Sequence, residues 1–274
     1  MSRDQGKIKR SVRSVLKRGY QSLRVGSTAE RRICLILGCQ RSGTTLMVQM
    51  LDNDMRLRVF PELSEVTYAS FRLRPYSEVR SILSKSRAPV IIMKPLVESQ
   101  HATRLLSEFE GAKVIWAYRR FQDVASSMVK KFGAESVIND IRFVKDSDAS
   151  RWIGERVPEH CRQLVTQYYA EDMNPHTAAS LSWYVRNQLF FEQGLEKEDR
   201  VLLCRYEDLV QHPSSVARKL YNHIGIAYPG DRIVSEVDST SLGKGAHIEI
   251  PEALSAECQE LYQRLNSAEM TGQT

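Results

Sequence analysis

The stretch LILGCQRSGTTLM, residues 35–47, constrains the fold of this 274-residue chain more than any other feature. A short apolar run ends at Gly38, Gly43 follows after four residues, and two threonines come next. This spacing fits the phosphate-binding loop G-x-x-x-x-G-K-[ST], except that Thr44 stands in place of the lysine. It predicts a strand, a tight turn and a helix whose N-terminus attracts an anion.

The missing lysine changes the chemistry expected of the loop. In nucleotide hydrolases with such a loop, the lysine reaches the outer phosphates, and an acidic residue at another strand end helps to hold Mg²⁺. Here Arg41 lies inside the loop, and the run KVIWAYRR ends in two arginines. We therefore expect the loop to bind an anionic nucleotide whose charge is balanced by side-chain cations without a metal. The loop residues expected to contact it are Gln40, Arg41, Ser42, Gly43, Thr44 and Thr45.

Four apolar runs of strand length, each followed by a helical pattern, predict the rest of the fold. The runs are Arg32–Gly38, Pro89–Lys94, Lys113–Arg119 and Arg200–Tyr206. Such alternation favours a parallel sheet covered by helices on both faces. We predict a three-layer α/β/α domain with a central parallel sheet, similar to P-loop nucleotide-binding proteins, over residues 31–274. Within it, residues 133–175 are predicted to be irregular and acceptor-specific, and residues 177–195 to form one long helix.

Residues 1–30 are predicted to form a separate basic, amphipathic segment. Residues 1–24 hold eight of the 39 basic residues and one acidic residue, which leaves 31 basic and 32 acidic residues elsewhere. Because the predicted domain is close to neutral, we expect no nucleic-acid partner. Two interpretations of the segment remain open: a helix packed on the domain, and a helix lying on an anionic membrane surface. The apolar residues that share one side of such a helix are Ile8, Val12, Val15, Leu16, Tyr20 and Leu23.

Cysteine, histidine and hydropathy patterns bear on location and metal binding. The five cysteines are scattered without a C-x-x-C pair, which favours a reducing compartment. The six histidines show no metal-binding spacing, so we expect no metal. No apolar run approaches the roughly 18 residues of a membrane span, and the start has no signal-peptide core. We expect a cytoplasmic protein, peripheral to a membrane if residues 1–24 bind one; the pattern does not indicate an oligomeric state.

Four blocks of sequence resemble the sulfotransferase family that uses 3′-phosphoadenosine 5′-phosphosulfate (PAPS). The blocks are GCQRSGTTL, IIMKP, VIWAYRRFQDVASSM and RVLLCRYEDLVQHP, in the family's order between residues 32 and 225. The resemblance implies that the first block binds the 5′-phosphosulfate and that PAPS is the cosubstrate. It also implies that Arg41 and Lys94 supply the positive charge that Mg²⁺ supplies in kinases.

The same resemblance implies how the 3′-phosphate is bound. Arg119, at a strand end, and Ser127, eight residues later, would clamp it with charge-assisted hydrogen bonds. The C-terminal segment STSLGKGAHIEIP would fold back over the nucleotide, with Lys244 as the residue that contacts the 3′-phosphate.

The catalytic base is also taken from the resemblance. Cytosolic members carry a histidine two residues past the strand lysine, where this chain has Leu96, and His101 lies too far along. A branch that includes the protein-tyrosine sulfotransferases uses a glutamate 21 residues past the loop arginine, which is Glu62 here. This chain is distantly similar to that branch and to bacterial sulfotransferases. Glu65 is the nearest competitor, and a capping role for Glu62 at a following helix is the other interpretation.

The favoured function is transfer of a sulfuryl group from PAPS to an acceptor hydroxyl. We expect a glycan or glycolipid acceptor, because large polar acceptors are frequent among glutamate-base relatives. Two alternatives remain: a divergent P-loop kinase for a small molecule, and a non-catalytic, membrane-associated adaptor. Metal-free binding of adenosine 3′,5′-bisphosphate (PAP) would favour the sulfotransferase, whereas Mg²⁺-dependent binding of ATP would favour the kinase.

Overall fold

A parallel sheet forms the centre of the molecule. The computed structural model describes residues 16, 17, 19–21, 31–238, 242–245 and 247–271. Within these residues, five parallel strands lie in the order β2-β3-β1-β4-β5. The strands are β1 (Arg32–Gly38), β2 (Leu57–Phe60), β3 (Val90–Met93), β4 (Lys113–Tyr118) and β5 (Val201–Arg205).

Helices cover both faces of the sheet. The α-helices are α1 (Thr44–Asp52), α2 (Tyr76–Ser84), α3 (Ala102–Glu108), α4 (Phe121–Phe132), α5 (Ala134–Lys145), α6 (Glu159–Tyr168), α7 (Pro175–Glu192), α8 (Tyr206–Gln211), α9 (Pro213–Ile224) and α10 (Glu252–Thr271). Short 3₁₀ helices span Leu96–His101, Trp152–Gly154, Leu195–Lys197 and Asp231–Val234. In the part of the chain that the structure describes, no helix is long and apolar enough to cross a membrane.

The central strand β1 shows why the strands of this sheet are continuous apolar runs in the sequence. Leu35 and Leu37 point into a core shared with α4, α5 and α7, while Cys34 and Ile36 point into a second core under α1 and α9. All four side chains are fully buried, because each face of the sheet is covered. The two cores hold the inner strands β1, β3 and β4 side by side, so that their carboxyl ends lie together along one side of the sheet.

Residues 133–175 differ from the prediction of irregular structure. They contain α5, the turn Trp152–Gly154 and α6. Helix α5 buries Val137, Ile141 and Val144, which recur at helical spacing among charged neighbours. The predicted helix over 177–195 is α7, which starts and ends slightly earlier and is buried on nearly all sides. Strand β2 and helices α2 and α10 were not predicted.

The described part of the N-terminal segment packs on the domain. Residues 16, 17 and 19–21 are helical. Lys17 Nζ donates to the Asp52 carboxylate at 2.6 Å, and Gln21 Nε2 donates to two backbone carbonyls at the start of β2, at 3.0 and 3.3 Å. Leu16, on the predicted apolar side, is 60% exposed. In this stretch polar side chains therefore face the domain. Residues 1–15, 18 and 22–30 lie outside the described part, and with them most of the predicted membrane-binding stripe.

Candidate active site

The predicted site residues lie where the parallel strands end. The loop with Arg41 follows β1, Glu62 follows β2, Lys94 follows β3 and Arg119 follows β4. Strand β1 lies between β3 and β4. The connection after β1 runs to one side of the sheet, to β2, whereas the connection after β3 crosses to the other side, to β4. In open α/β sheets, the crevice at such a point is where ligands bind.

The loop after β1 depends on two glycines. Gly38 (φ 121°) and Gly43 (φ 81°) have backbone conformations that other residues rarely adopt, and Arg41 also has a positive φ of 66°. A Cβ on Gly43 would lie 2.1 Å from the ring of Tyr206, and one on Gly38 would lie 2.2 Å from a backbone oxygen of β4. The tight turn leads into α1, whose first N–H groups have no acceptor within the helix. Those groups are suited to bind an anion.

Lys94 joins the loop to Glu62. Its Nζ donates to Thr45 Oγ1 at 3.1 Å and forms an ion pair with Glu62 Oε2 at 2.9 Å. The Lys94 side chain is 6% exposed and that of Glu62 is 25% exposed. Glu65 instead forms an ion pair with Arg58 at 3.2 Å and is 55% exposed. Of the two candidate bases, Glu62 is therefore the one in contact with the loop lysine.

A capping role for Glu62 does not hold. Residues 61–67 form turns, and no helix begins among them. Thr67 Oγ1 donates to the carbonyl of Glu62 at 2.6 Å, which fixes the backbone of the turn. The Glu62 carboxylate is therefore positioned by this turn and not by the N-terminus of a helix.

Arg41, Arg119 and Ser127 come together on the other side of the loop. Arg41 Nε donates to Ser127 Oγ at 3.0 Å, two turns into α4. The Arg119 guanidinium lies over the Tyr206 ring, 4.2 Å from its centroid, and the Arg119 carbonyl accepts a hydrogen bond from Trp183 Nε1 at 2.8 Å. The side chain that shapes the loop at Gly43 therefore also supports the arginine expected at the 3′-phosphate.

The charges of this site are unbalanced toward the positive. Burial lowers the pKa of Arg41, the nearby Arg119 lowers it further, and Glu62 opposes the shift. Arg41, Lys94 and Arg119 converge here with two carboxylates among them: Glu62 pairs with Lys94 at 2.9 Å, and Asp123 pairs with Arg119 at 3.5 Å. Such a cluster of partly buried cations is stabilised by a polyanion, and a nucleotide with phosphates at both ends of its ribose fits.

The segment with Lys244 folds back onto α4. The N–H groups of Gly243 and Gly245 donate to the Asp123 carboxylate at 3.3 and 2.8 Å. A Cβ on Gly245 would lie 2.0 Å from the Gln122 carbonyl oxygen, so the approach is close. Lys244 itself is exposed near the N-terminus of α4, and its contact with the 3′-phosphate stays a prediction.

Comparison with protein families decides the identity of the fold and its chemistry. A family model described as the sulfotransferase domain matches residues 31–244. The chain belongs to the sulfotransferase family. Members of the family take the sulfuryl group from PAPS, so the protein is a PAPS-dependent sulfotransferase, as predicted.

Solved structures show the same fold. The sulfotransferase domain of the Synechococcus PCC 7002 olefin synthase matches with a TM-score of 0.56 and 18% identity over 88% of this chain and 97% of that one. The sulfotransferase domain from the curacin biosynthetic pathway gives 0.54 and 20% over 87% and 99%. A sulfotransferase from Alicyclobacillus acidocaldarius gives 0.51 and 14% over 88% and 95%. The predicted α/β/α fold is confirmed, and among curated proteins no sequence matches.

Sequence reasoning about this sulfotransferase missed three residues that shape the site. Asp123 holds the C-terminal segment, Tyr206 packs between Gly43 and Arg119, and Glu207 Oε1 accepts the Arg120 N–H at 3.1 Å. Burial raises the pKa of Glu207. The R-Y-E-D-L turn containing Tyr206 and Glu207 is recognisable in the sequence as part of the fourth block, but its contacts with β4 and the loop are long-range and leave no local signal.

A buried polar network in the sulfotransferase anchors the segment that follows Glu62. Arg72 forms ion pairs with Glu98 and Glu155, and His101 Nε2 lies 3.0 Å from Glu155 Oε2. The fully buried Arg186 completes the network, and burial lowers its pKa to about 10. His101 is thus a member of a structural network, which agrees with its rejection as the base.

Proposed function

We propose that the enzyme transfers the sulfuryl group of PAPS to a hydroxyl of a glycan or glycolipid, with Glu62 as the general base. The contact of Lys94 with both the Thr45 hydroxyl and the Glu62 carboxylate is the observation that supports this proposal most directly. It brings a cation and a base to the N-terminus of α1. General-base catalysis requires such a carboxylate within hydrogen-bond reach of the acceptor proton.

Each reacting group then has a protein partner. PAPS supplies the sulfuryl group, and the bond between sulfur and the bridging phosphate oxygen breaks as the acceptor oxygen attacks in line. Lys94 and Arg41 stabilise the charge that develops on the bridging oxygen and the sulfonate. As Lys94 turns toward that oxygen, it releases the Glu62 carboxylate, which takes the acceptor proton.

The nucleotide is proposed to be held by the loop and by α4. The backbone N–H groups of Gln40–Thr45 bind the 5′-phosphate, and the Ser42, Thr44 and Thr45 hydroxyls lie in the same loop. Arg119 and Ser127 bind the 3′-phosphate, with Lys244 beside them. The hydrogen bond from Arg41 to Ser127 links the two phosphate sites.

The location is proposed from the composition of the chain. All five cysteines are free and buried, which is consistent with a reducing, cytoplasmic compartment. Peripheral membrane contact through residues 1–24 is supported by their basic excess and by the exposure of Leu16. A glycolipid acceptor would be consistent with such contact.

Calorimetry in the presence of a chelator tests nucleotide binding. PAP should bind without metal, and AMP should bind more weakly by about 2–4 kcal/mol, the scale of lost charge-assisted hydrogen bonds. Ser127→Ala should narrow that difference, whereas the adjacent Ser126→Ala should leave it unchanged. Equal affinities for PAP and AMP would remove Arg119 and Ser127 from the 3′-phosphate site.

An acceptor screen with radiolabelled PAPS tests the reaction. Label should appear on glycans or glycolipids, and it should not depend on added Mg²⁺. Transfer only to phenols or to tyrosine peptides would contradict the proposed acceptor class while leaving the sulfotransferase activity in place.

A further inference from the structure

A cavity of about 600 Å³ opens beside the reaction centre. It is lined by Lys17 and Gln21 of the N-terminal segment, by the outer face of α1, by residues between 58 and 65, and by Glu236. The volume lies within the range of small-molecule sites. Among its described lining residues, Thr45 alone has a proposed role in nucleotide binding, so the cavity lies beside the proposed donor site.

Thr45 is shared between the cavity and the reaction centre. It lines the cavity and accepts the hydrogen bond from Lys94 Nζ, which in turn contacts Glu62. Pro61 and Ser64, on either side of Glu62 along the chain, line the same cavity. A hydroxyl placed near Thr45 would therefore lie close to the base.

The charges in the lining largely cancel. Lys17 pairs with Asp52 at 2.6 Å, and Arg58 pairs with Glu65 at 3.2 Å. Glu236 is the other charged residue of the lining, which gives a formal charge of −1 among the described residues. The remaining polar groups are amides and hydroxyls: Gln21, Thr45, Gln49, Asn53 and Ser64. Such a wall suits hydrogen bonding to neutral hydroxyls and repels a polyanion.

The cavity also continues along the edge of the sheet. A second hollow of about 250 Å³ shares Gln21, Arg58, Phe60 and Glu65 with it and reaches the end of α2, where it is lined by Ile82, Lys85, Ser86 and Arg87. The two adjacent hollows are together called the groove, and its outer part adds two exposed basic residues, Lys85 and Arg87.

We infer that this groove admits the acceptor, that the acceptor is an elongated polyhydroxyl molecule with an uncharged reacting end, and that Lys17 and Gln21 form part of the outer wall of its site. The inference rests on the proposed function and deepens it. It gives the N-terminal segment a role in acceptor recognition through Lys17 and Gln21. The sulfuryl group goes to an acceptor oxygen that enters past Gln49 and Thr45, and the hydroxyl proton goes to Glu62.

A tethered acceptor tests the route without knowledge of the natural substrate. Gln49 is exposed and lies one helical turn after Thr45. In Gln49→Cys, the introduced thiol should react in preference to the native cysteines. Burial raises the pKa of Cys34, Cys39 and Cys161 to about 12, and it raises the pKa of Cys204 and Cys258 further. An ethylene-glycol oligomer that carries a pyridyl disulfide at one end and a free hydroxyl at the other is attached there by thiol–disulfide exchange, which releases pyridinethione. The matched control is Gln259→Cys, exposed on α10, with the same adduct.

After addition of PAPS, intact mass spectrometry counts SO₃ groups on each adduct. The Gln49→Cys adduct should be sulfated at least about tenfold faster than the control at one or more spacer lengths, because tethering replaces binding affinity. Equal rates at both positions, with PAP affinity intact and transfer to free acceptors detected, would overturn the groove as the acceptor route. Loss of both PAP binding and transfer would instead overturn the proposed function.

A charged spacer tests the chemical class. An oligomer that carries a carboxylate near its free hydroxyl should be sulfated more slowly on Gln49→Cys than the neutral one. Glu236→Gln should narrow that difference, because it removes one negative charge from the lining. A carboxylated spacer that is sulfated as fast as the neutral one would contradict the preference for uncharged acceptors.

Discussion

At the scale of single residues, the pair formed by Glu62 and Lys94 governs the proposed chemistry. Glu62→Gln retains a group that can accept a hydrogen bond from Lys94 but cannot take a proton. We expect turnover to fall by roughly two to four orders of magnitude, with PAP affinity retained. Steady-state kinetics with labelled PAPS and calorimetry measure the two quantities. Glu78→Gln, which alters an exposed ion pair on α2, is the control; loss of turnover in Glu65→Gln instead would transfer the role to Glu65.

Lys94 acts at a different moment of the reaction. The bridging oxygen gains charge only as the sulfur–oxygen bond breaks, so the lysine should stabilise the transition state more than the bound donor. Lys94→Ala should therefore lower kcat more than it raises the KM for PAPS, while Lys131→Ala, an exposed change on α4, should alter neither. An effect confined to KM would place Lys94 in ground-state binding.

At the scale of secondary-structure elements, the junction of the loop with α1 depends on Tyr206 from α8. Gly43→Ala would add a Cβ 2.1 Å from that ring at a φ of 81°. The left-handed conformation costs about 1–2 kcal/mol, and the displaced ring would disturb Arg119, which lies 4.2 Å from its centroid. We expect PAP affinity to fall at least about tenfold. Gly111→Ala has a similar φ of 69° and no atom within 4 Å, so it should lose only stability; equal losses of affinity in both variants would contradict the coupling.

The elements predicted correctly are those whose sequence has a continuous apolar run or a clear helical period. Strands β1 and β4 are covered on both faces and read as continuous apolar runs, and α4 has a clear helical period. Strand β2 is four residues long at the sheet edge and contains a partly exposed Arg58, so it resembles loop sequence. Helix α5 was missed because its three buried residues are spread among charged ones.

The site was predictable to the extent that its residues terminate strands. Lys94 and Arg119 follow apolar runs, and Ser127 lies at a fixed offset from Arg119, so a linear pattern locates all three. The position of Glu62 followed only from the resemblance, because β2 before it was not recognised. The contacts of Tyr206 with Gly43 and of Asp123 with the C-terminal segment join distant parts of the chain, and no local pattern encodes them.

At the scale of the whole molecule, the described part of the N-terminal segment packs against α1 and the start of the edge strand β2. Deletion of residues 1–24 removes the hydrogen bonds of Lys17 and Gln21 at α1 and β2. We expect a folded domain with PAP affinity within about twofold of the full chain but less stable by roughly 2 kcal/mol, the scale of a few such hydrogen bonds. Denaturant unfolding and calorimetry check the two outcomes. Lost PAP binding would show that residues 1–30 and 31–274 are not separable, and the boundary would be wrong.

The acid stability of the molecule should depend on His223, at the end of α9. Its Nε2 lies 3.0 Å from the Val114 carbonyl, and burial, with the nearby Lys113, lowers its pKa from 6.5 to about 4. The native state therefore binds fewer protons than the unfolded state between these values, and the free energy of unfolding should decrease as pH falls from 6.5 toward 4. Because the side chain is partly exposed, we expect a loss of about 1–2 kcal/mol from this residue.

The variant His223→Gln keeps a donor for the Val114 carbonyl but does not titrate. In urea unfolding at pH 7, 5.5 and 4.5, its free energy of unfolding should therefore decrease less steeply with falling pH than that of the wild type. The exposed His247→Gln should retain the wild-type slope, and parallel curves for all three proteins would contradict the assignment, because the acid sensitivity would then arise from other groups.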